Sequence, residues 1–455
     1  MQDDFTKTVI RAVSLEGGGF MLECPPGAHR AGNLPLSWRG ESVLFGWEPS
    51  ELVVADNRSS ASAAEGFKHT ARRLEADDAA IAVGWLSYDL GGFIERSAAS
   101  KKPPDSMPVL LFGIYSRYYQ YDPSTKAIFV CRKNDRRPAS RLDLDEIAAR
   151  ASLALAHNDA AAASTPVSDF SRQSYMEAVA RAREYILSGD IFEVNLSQCF
   201  RTRFAGPSWQ LYERLRRHNP APYAAYLTSP HGDVLSSSPE LFLSVTDAAV
   251  ITRPIKGTIA RGRTAISDAA AAEALASSEK DNAELAMIID LERNDLGRVC
   301  SYGSVKVVER ARVETFSRVH HLVSTVEGRL KRGVDLWQLM RATFPGGSIT
   351  GAPKVRAMQI IDELEPCRRG VYTGSVGYLL PGGRAELNIA IRTMVFRDGD
   401  VSLQVGGAVT ADSDPLAEYE ETLAKALGMV DALGRQGIEG KGDGETTCPR
   451  KHMRF

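Results

Sequence analysis

Three stretches of the 455-residue chain carry side chains whose types and spacing could do chemistry. Glu418 and Glu421 are followed by Lys425, and on a helix these three share one face. Such an E-x-x-E with a lysine is ordinarily a solvated salt-bridge face. The run before it, Val405-Gly406-Gly407-Ala408-Val409, adds interest, because adjacent glycines let backbone amides approach a ligand closely. Glu284 lies where the helical stretch from Glu279 turns apolar at Leu285. A carboxylate at the edge of a buried run must be paired, protonated or metal-bound. Two glutamates from separate helices, with water and a substrate carboxylate, would suit Mg²⁺, a hard ion that takes several oxygens from outside the protein. Spacing alone does not establish that site. Lys256 sits in Arg253-Pro254-Ile255-Lys256-Gly257-Thr258. A lysine between a proline turn and a glycine is normally exposed. It becomes a nucleophile only if burial or nearby cations depress its pKa, and Arg253 and Arg261 are the nearest cations in sequence.

A fourth stretch, Pro345-Gly346-Gly347-Ser348-Ile349-Thr350-Gly351-Ala352-Pro353-Lys354, first reads as a phosphate loop. A P-loop needs Gly-Lys-Ser/Thr together. Here Ala352 and Pro353 intervene, and Pro353, lacking an N–H, fits better as the first residue of a helix.

These side chains need elements to hold them. The N-terminal part reads mostly as strands: Val43 to Phe45, Glu51 to Val54, Ile81 to Ser87, Val109 to Tyr121 and Ala127 to Cys131. Beyond it, Ser174 and Glu177 form an expected capping box opening a helix that Gly189 ends. Strands are expected around Tyr223–Thr228, Val234–Ser238, Leu241–Val245 and Val250–Thr252. A long helix covers roughly Ser277 to Asn294. A helix from Pro353, strands from Ser375 to Leu380 and Leu387 to Phe396, and a last helix near Pro415 to Leu433 complete the pattern. Strands and helices do not alternate regularly, which favours an α+β fold over a doubly wound parallel sheet. The expected organisation is an N-terminal region over 1–135, an alanine-rich connection over 136–170, a catalytic region over 171–435 and a disordered tail over 436–455.

Composition excludes several classes. Hydrophobic residues make up 44% and charged residues 25%, with a formal net charge of -2, so nothing marks a nucleic-acid footprint. There is no apolar run long enough for a membrane helix and no apolar leader at the N-terminus. The six cysteines form no C-x-x-C pair, which argues against a zinc knuckle or a disulfide framework and for a reducing cytoplasm. None lies in a Gly-x-Cys-x-Gly nucleophile context.

Taken in order, the motifs resemble the chorismate-utilising enzymes, the family of the anthranilate, aminodeoxychorismate, isochorismate and salicylate synthases. The resemblance runs from about Ser174 to Leu433. It is carried by Gly189-Asp190-Ile191-Phe192-Glu193-Val194-Asn195-Leu196-Ser197-Gln198, Ser238-Pro239-Glu240, the Pro254 to Thr258 run, Asp290 to Gly297, His320 to Ser324, the Pro345 to Lys354 loop, Tyr372-Thr373-Gly374, Ile391-Arg392-Thr393, and Ala411 to Pro415 leading into Glu418 and Glu421. A weaker match covers Gly84 to Gly91. The tryptophan-binding element of anthranilate synthases would lie near Leu22-Glu23-Cys24, where only Leu-Glu survives.

The resemblance implies a fold of two interlocking α+β parts on large antiparallel sheets with helices outside and the site in a cleft between them. It implies Glu284 and Glu421 as Mg²⁺ ligands with Glu418 beside them. Glu240 corresponds to the general acid that protonates the departing C4 hydroxyl. Thr258, His321, Tyr372, Arg392, Gly407 and Lys425 correspond to substrate contacts. Lys256 points to the aminodeoxychorismate synthase branch, since anthranilate synthases usually have alanine there. In that branch the lysine adds at C2 as the hydroxyl leaves C4, and ammonia from a partner glutamine amidotransferase subunit then adds at C4. Glu193 stands where isochorismate and salicylate synthases carry a water-activating lysine and many amine-adding members carry glutamine. The product would be 4-amino-4-deoxychorismate, on the route to 4-aminobenzoate and folate through a separate lyase. Anthranilate synthase component I is the alternative, and an inactive regulatory homologue is the alternative from another class.

Overall fold

The computed structural model describes residues 2–15, 18–24, 42–56, 60–104, 106–132, 135–155, 162–316, 319–435, 437–442 and 446–447. Its frame is two sheets, of 14 and 10 strands among the described residues. Pairing is antiparallel throughout apart from one short parallel contact at Glu439.

The strand sequences explain why two sheets stack. Side chains alternate across a strand, but here both sets are apolar. In Gly19–Cys24, Phe20 and Leu22 join one core cluster and Met21 another. In Ile81–Leu86, Ile81, Val83 and Trp85 join that same first cluster, whereas Ala82 and Leu86 join a third. The shared cluster is the layer between the sheets. The outer faces are covered by helices. Gln2–Val13, Arg172–Leu187, Ser208–His218 and Pro415–Ala432 pack on the larger sheet. Ser60–Ala76, Glu279–Val299 and Leu336–Thr343 pack on the smaller one. Burying both faces of both sheets at about 25 cal/mol per Å² of apolar area is the main force holding the frame. The α+β fold of interlocking sheets is as expected.

The chain interlocks through short crossings. The stretch Val109 to Tyr121, expected as one strand, is two: Leu110–Tyr115 lies in the smaller sheet and Arg117–Asp122 in the larger, with Ser116 between. Strands from residues before 135 therefore enter both sheets. Three α-helices, Gln2–Val13, Ser60–Ala76 and the short Leu90–Ile94, also stand among the described residues of the region expected to be mostly strands.

Local capping moves one predicted boundary. The helix expected to be capped by Ser174 starts earlier, at Arg172. Ser171 is its N-cap, accepting from the Ser174 amide, while Ser174 Oγ accepts from the Ser171 amide. The serine pair supplies both halves of the box, so Glu177 is not needed and accepts instead from Gln173. The long helix, Glu279–Val299, is capped by Ser278 and runs past the expected Asn294. The tail expected to be disordered from Gln436 is corrected at its start: Ile438 is buried and Ile438–Glu439 joins the larger sheet. Residue 436, residues 443–445 and residues 448–455 lie outside the described residues. No described helix is long and apolar enough to cross a membrane.

Candidate active site

A cleft of about 500 Å³ opens where the two sheets meet. The larger sheet contributes Asn195, Gln404 and Gly406. The smaller contributes Lys256, Thr258 and His321. The helix Glu279–Val299 brings Lys280 and Glu284, and the helix Pro415–Ala432 brings Glu421 and Lys425. Glu240, Tyr372 and Arg392 complete the predicted set in its wall. Gly407 and Glu418 lie behind it.

Lys256 lies on the strand Ile255–Ala260 and is buried, not exposed as a lysine beside a glycine would ordinarily be. Its Nζ donates to Glu193 Oε1 at 2.5 Å, and the two side chains are 8% and 1% exposed. The expectation that Arg253 and Arg261 depress its pKa is corrected. Arg253 pairs with Glu314 and Arg261 with Asp268. Burial does pull the ammonium pKa down, but Glu193, Glu284 and Glu240 outweigh it, and the net direction is upward.

Glu240 precedes the strand Leu241–Thr246 and is 4% exposed. Ser348 Oγ donates to its Oε1 at 2.5 Å. Burial pushes its pKa up to about 7 against the opposing pull of Ser348, Lys256 and Arg392. This carboxyl can therefore hold a proton near neutrality. His321 is tied to Thr258, with Oγ1 and Nδ1 2.8 Å apart, and its Nε2 is buried without a hydrogen-bond partner among the described residues. Burial, with Arg392 adding to it, lowers the imidazole pKa to about 3, so the ring is neutral. Arg392 makes no side-chain hydrogen bond or ion pair among the described residues, and burial lowers its pKa to about 10. Its backbone is left-handed, with φ of 50°. A non-glycine residue held there costs of order 1–3 kcal/mol, the kind of strain that gathers at binding sites. Tyr372 lies 5.9 Å from the Arg369 guanidinium, and burial raises its pKa.

The acidic corner is built on Gly406 and Gly407. A Cβ at Gly407 would stand 2.9 Å from Glu418 Oε2, so only glycine leaves that carboxylate its place. Glu418 is buried and accepts from Ser413 at 2.7 Å through Oε1, while Oε2 has no hydrogen-bond partner among the described residues. Burial and the neighbouring Glu421 push its pKa up to about 7. Lys425 lies 2.7 Å from Glu421, which lowers that carboxyl's pKa, and it also donates to the Gly406 carbonyl at 3.0 Å. Glu284 is raised, first by burial, and lies 3.8 Å from Lys280. No three His, Cys, Asp or Glu side chains converge tightly enough to hold an ion unaided among the described residues.

Sequence reasoning left three residues here without a role. Ser348 lies inside a loop read for phosphate and as a family motif, with no role given to the serine itself, and Lys280 shows itself by its i,i+4 spacing to Glu284. Glu193 was noted for its departure from glutamine. Its contact with Lys256, far away in sequence, had no local signal.

A buried amine, protonatable acids, a neutral imidazole and a guanidinium around one cleft define an enzyme site for a small carboxylate substrate. The family model for chorismate binding enzyme matches residues 29–431, and the chain belongs to that family of chorismate-utilising enzymes. Its relatives carry two activities in their names. It is 39% identical over 418 residues, 86% of each chain, to an anthranilate synthase component 1 of Haloarcula marismortui. It is 41% identical over 353 residues to aminodeoxychorismate synthase component 1 of Escherichia coli, covering 77% of this chain and 76% of that one. Among solved structures it resembles anthranilate synthase component I from Streptococcus pneumoniae, with 29% identity, a TM-score of 0.72 and coverage of 89% and 94% of the two chains.

Proposed function

We propose that this chorismate-utilising enzyme is an aminodeoxychorismate synthase subunit, replacing the C4 hydroxyl of chorismate with an amino group. The observation that carries the reading is Lys256, buried in the cleft with Glu193 against its Nζ and Glu240 in the same wall. In the proposed sequence Lys256, as the free amine, attacks C2. The ring double bonds shift from C1–C2 and C5–C6 to C1–C6 and C4–C5, and the C4 hydroxyl leaves as water with the Glu240 proton. Ammonia then attacks C4, the double bonds return to C1–C2 and C5–C6, and the C2–lysine bond breaks. The C4 ammonium returns its proton to Glu240. The covalent bond divides one hard substitution into two easier ones. Arg392 and Tyr372 hold the substrate carboxylates, and the neutral His321 with Thr258 lines the ring. Lys425, paired with Glu421, serves the same carboxylates once that pair opens.

The acidic corner fits Mg²⁺. The partnerless Glu418 Oε2 and the raised pKa values of Glu418 and Glu284 describe carboxylates short of positive charge. Mg²⁺ is held through one or two carboxylates plus outside oxygens, so a tight three-residue cluster is not required. Glu284 and Glu421 would hold it, with Glu418 behind, and when bound it would supply a Lewis acid against a substrate carboxylate. Loss of a group in a metal's outer shell already costs about 10–100-fold in affinity. Glu284→Gln and Glu421→Gln should each raise the Mg²⁺ concentration for half-maximal rate at least that much, with melting temperature little changed. Full activity of both variants at low Mg²⁺ would remove these residues from the metal site.

The nitrogen is proposed to come from a partner amidotransferase. Cys24, Cys131 and Cys300 are buried with thiol pKa values raised by that burial, the opposite of a nucleophile's setting. The purified chain should therefore use ammonium salts and not glutamine. Glutamine-dependent turnover by the single chain would contradict this. The decisive assay is incubation with chorismate, Mg²⁺ and an ammonium salt, followed by product identification. The C4 amine supports the reading, anthranilate would move the chain to the other branch, and no turnover would favour a regulatory homologue.

A further inference from the structure

Lys256 must reach the substrate as a free amine, yet it is surrounded by carboxylates. Glu193, Glu240 and Glu284 act on it from three different elements, and Arg392 and His321 line the same cleft. Among the described residues, Glu193 alone hydrogen-bonds to Nζ. Its second oxygen, Oε2, is buried with no hydrogen-bond partner among the described residues, so the carboxyl has an unused acceptor site. Glu193 opens the strand Glu193–Arg203 of the larger sheet and is held in register by Ala352. Lys256 belongs to the smaller sheet, so the pair spans the two sheets and its geometry is fixed by the frame.

We propose that Glu193 is the general base that takes the Lys256 proton and returns it at the end of the cycle. The inference rests on the reading of Lys256 as the nucleophile. Before attack, the ammonium proton moves from Nζ to the Glu193 carboxylate, giving amine and carboxylic acid. Nζ then forms the bond to C2. When ammonia has displaced it, the freed amine takes the proton back from Glu193. Glu240 handles a different proton, that of the leaving hydroxyl, so the two carboxyls work in parallel and both are restored each turnover. The surrounding carboxylates favour the ammonium, so the free amine is a minor state; the 2.5 Å Nζ–Oε1 contact gives its proton a direct path to Glu193, and attack on C2 draws the amine off.

Glu193→Gln keeps size and an acceptor oxygen for Nζ but removes both the carboxylate charge and the capacity to take up the proton; loss of the charge alone would ease deprotonation of Lys256, so a fall in rate reports the missing base. The variant chain, assayed with chorismate, Mg²⁺ and ammonium, should lose kcat by about 10²-fold or more. The KM for chorismate should stay near the wild-type value, and the residual rate should climb with pH as solvent replaces the base. Glu193→Asp should recover part of the rate. With ammonia withheld, mass spectrometry should find a Lys256 adduct in the wild type and far less in Glu193→Gln. A Glu193→Gln enzyme with wild-type kcat and pH profile would overturn the proposal and leave Glu193 a counter-ion. That failure is separable from failure of the underlying reading, which would appear in wild type as a missing C4 amine or a missing Lys256 adduct.

Discussion

Lys256→Ala is expected to lose C4 amination by about 10⁴-fold or more, the scale seen when a covalent nucleophile is removed. The covalent route depends on one amine in the cleft. Lys280 is mostly exposed near Glu284, and Lys425 is paired with Glu421. Neither is placed against Glu193. Lys256→Arg should fail equally, since a guanidinium does not give up its proton. A lost fold must be told apart from lost chemistry, because removing one partner of a buried ion pair costs about 3–5 kcal/mol. The Lys256→Ala/Glu193→Gln double variant answers this: without the stranded carboxylate it should regain melting temperature while remaining inactive. If Lys256→Ala formed the C4 amine at the wild-type rate, Lys256 would be only an electrostatic contact. If it instead released the C2 amine, the lysine would be the group that separates the two branches of the family.

The sequence revealed the parts of this site better than their electrostatics. Lys256, Thr258, Glu284, Glu421 and Lys425 are marked by local pattern or by family motif, and all line one cleft. What neighbours in sequence do not reveal is which charges meet. Arg253 and Arg261 flank Lys256 along the chain but turn to Glu314 and Asp268. The groups that govern the lysine come from another strand, a helix and a loop. The fold shows the same limit. Buried strands with apolar residues on both faces were legible as strands, but nothing local says that Leu110–Tyr115 and Arg117–Asp122 belong to different sheets. That choice is made by partners far along the chain. The helix Ser60–Ala76 does carry a local signal that a strand-rich reading passes over: Ala63, Phe67, Thr70 and Leu74 recur at helical spacing, and all four are buried.

Glu240→Gln is expected to lower kcat by about 10²–10⁴-fold, the usual contribution of a general acid. Its carboxyl must be protonated when the C4 hydroxyl departs. With a pKa pushed up to about 7 by burial, the wild-type rate should fall as pH rises above neutrality, and that limb should vanish in the variant. Stability provides an independent check, with the opposite sign to the catalytic loss. The folded carboxyl binds its proton more tightly than the unfolded one, so ionisation costs folding free energy as pH rises between the two pKa values. At about 1.4 kcal/mol per pKa unit, the cost above pH 7 is up to about 3 kcal/mol. Glu240→Gln keeps an acceptor for Ser348 but has nothing to ionise, so it should be more stable than wild type at pH 8 and indistinguishable near pH 4. Chemical denaturation at the two pH values would show this directly. Equal stabilities at pH 8 would mean that the carboxyl ionises freely. It could not then be the proton donor at neutral pH, and the hydroxyl would have to leave with a proton from another group in the cleft.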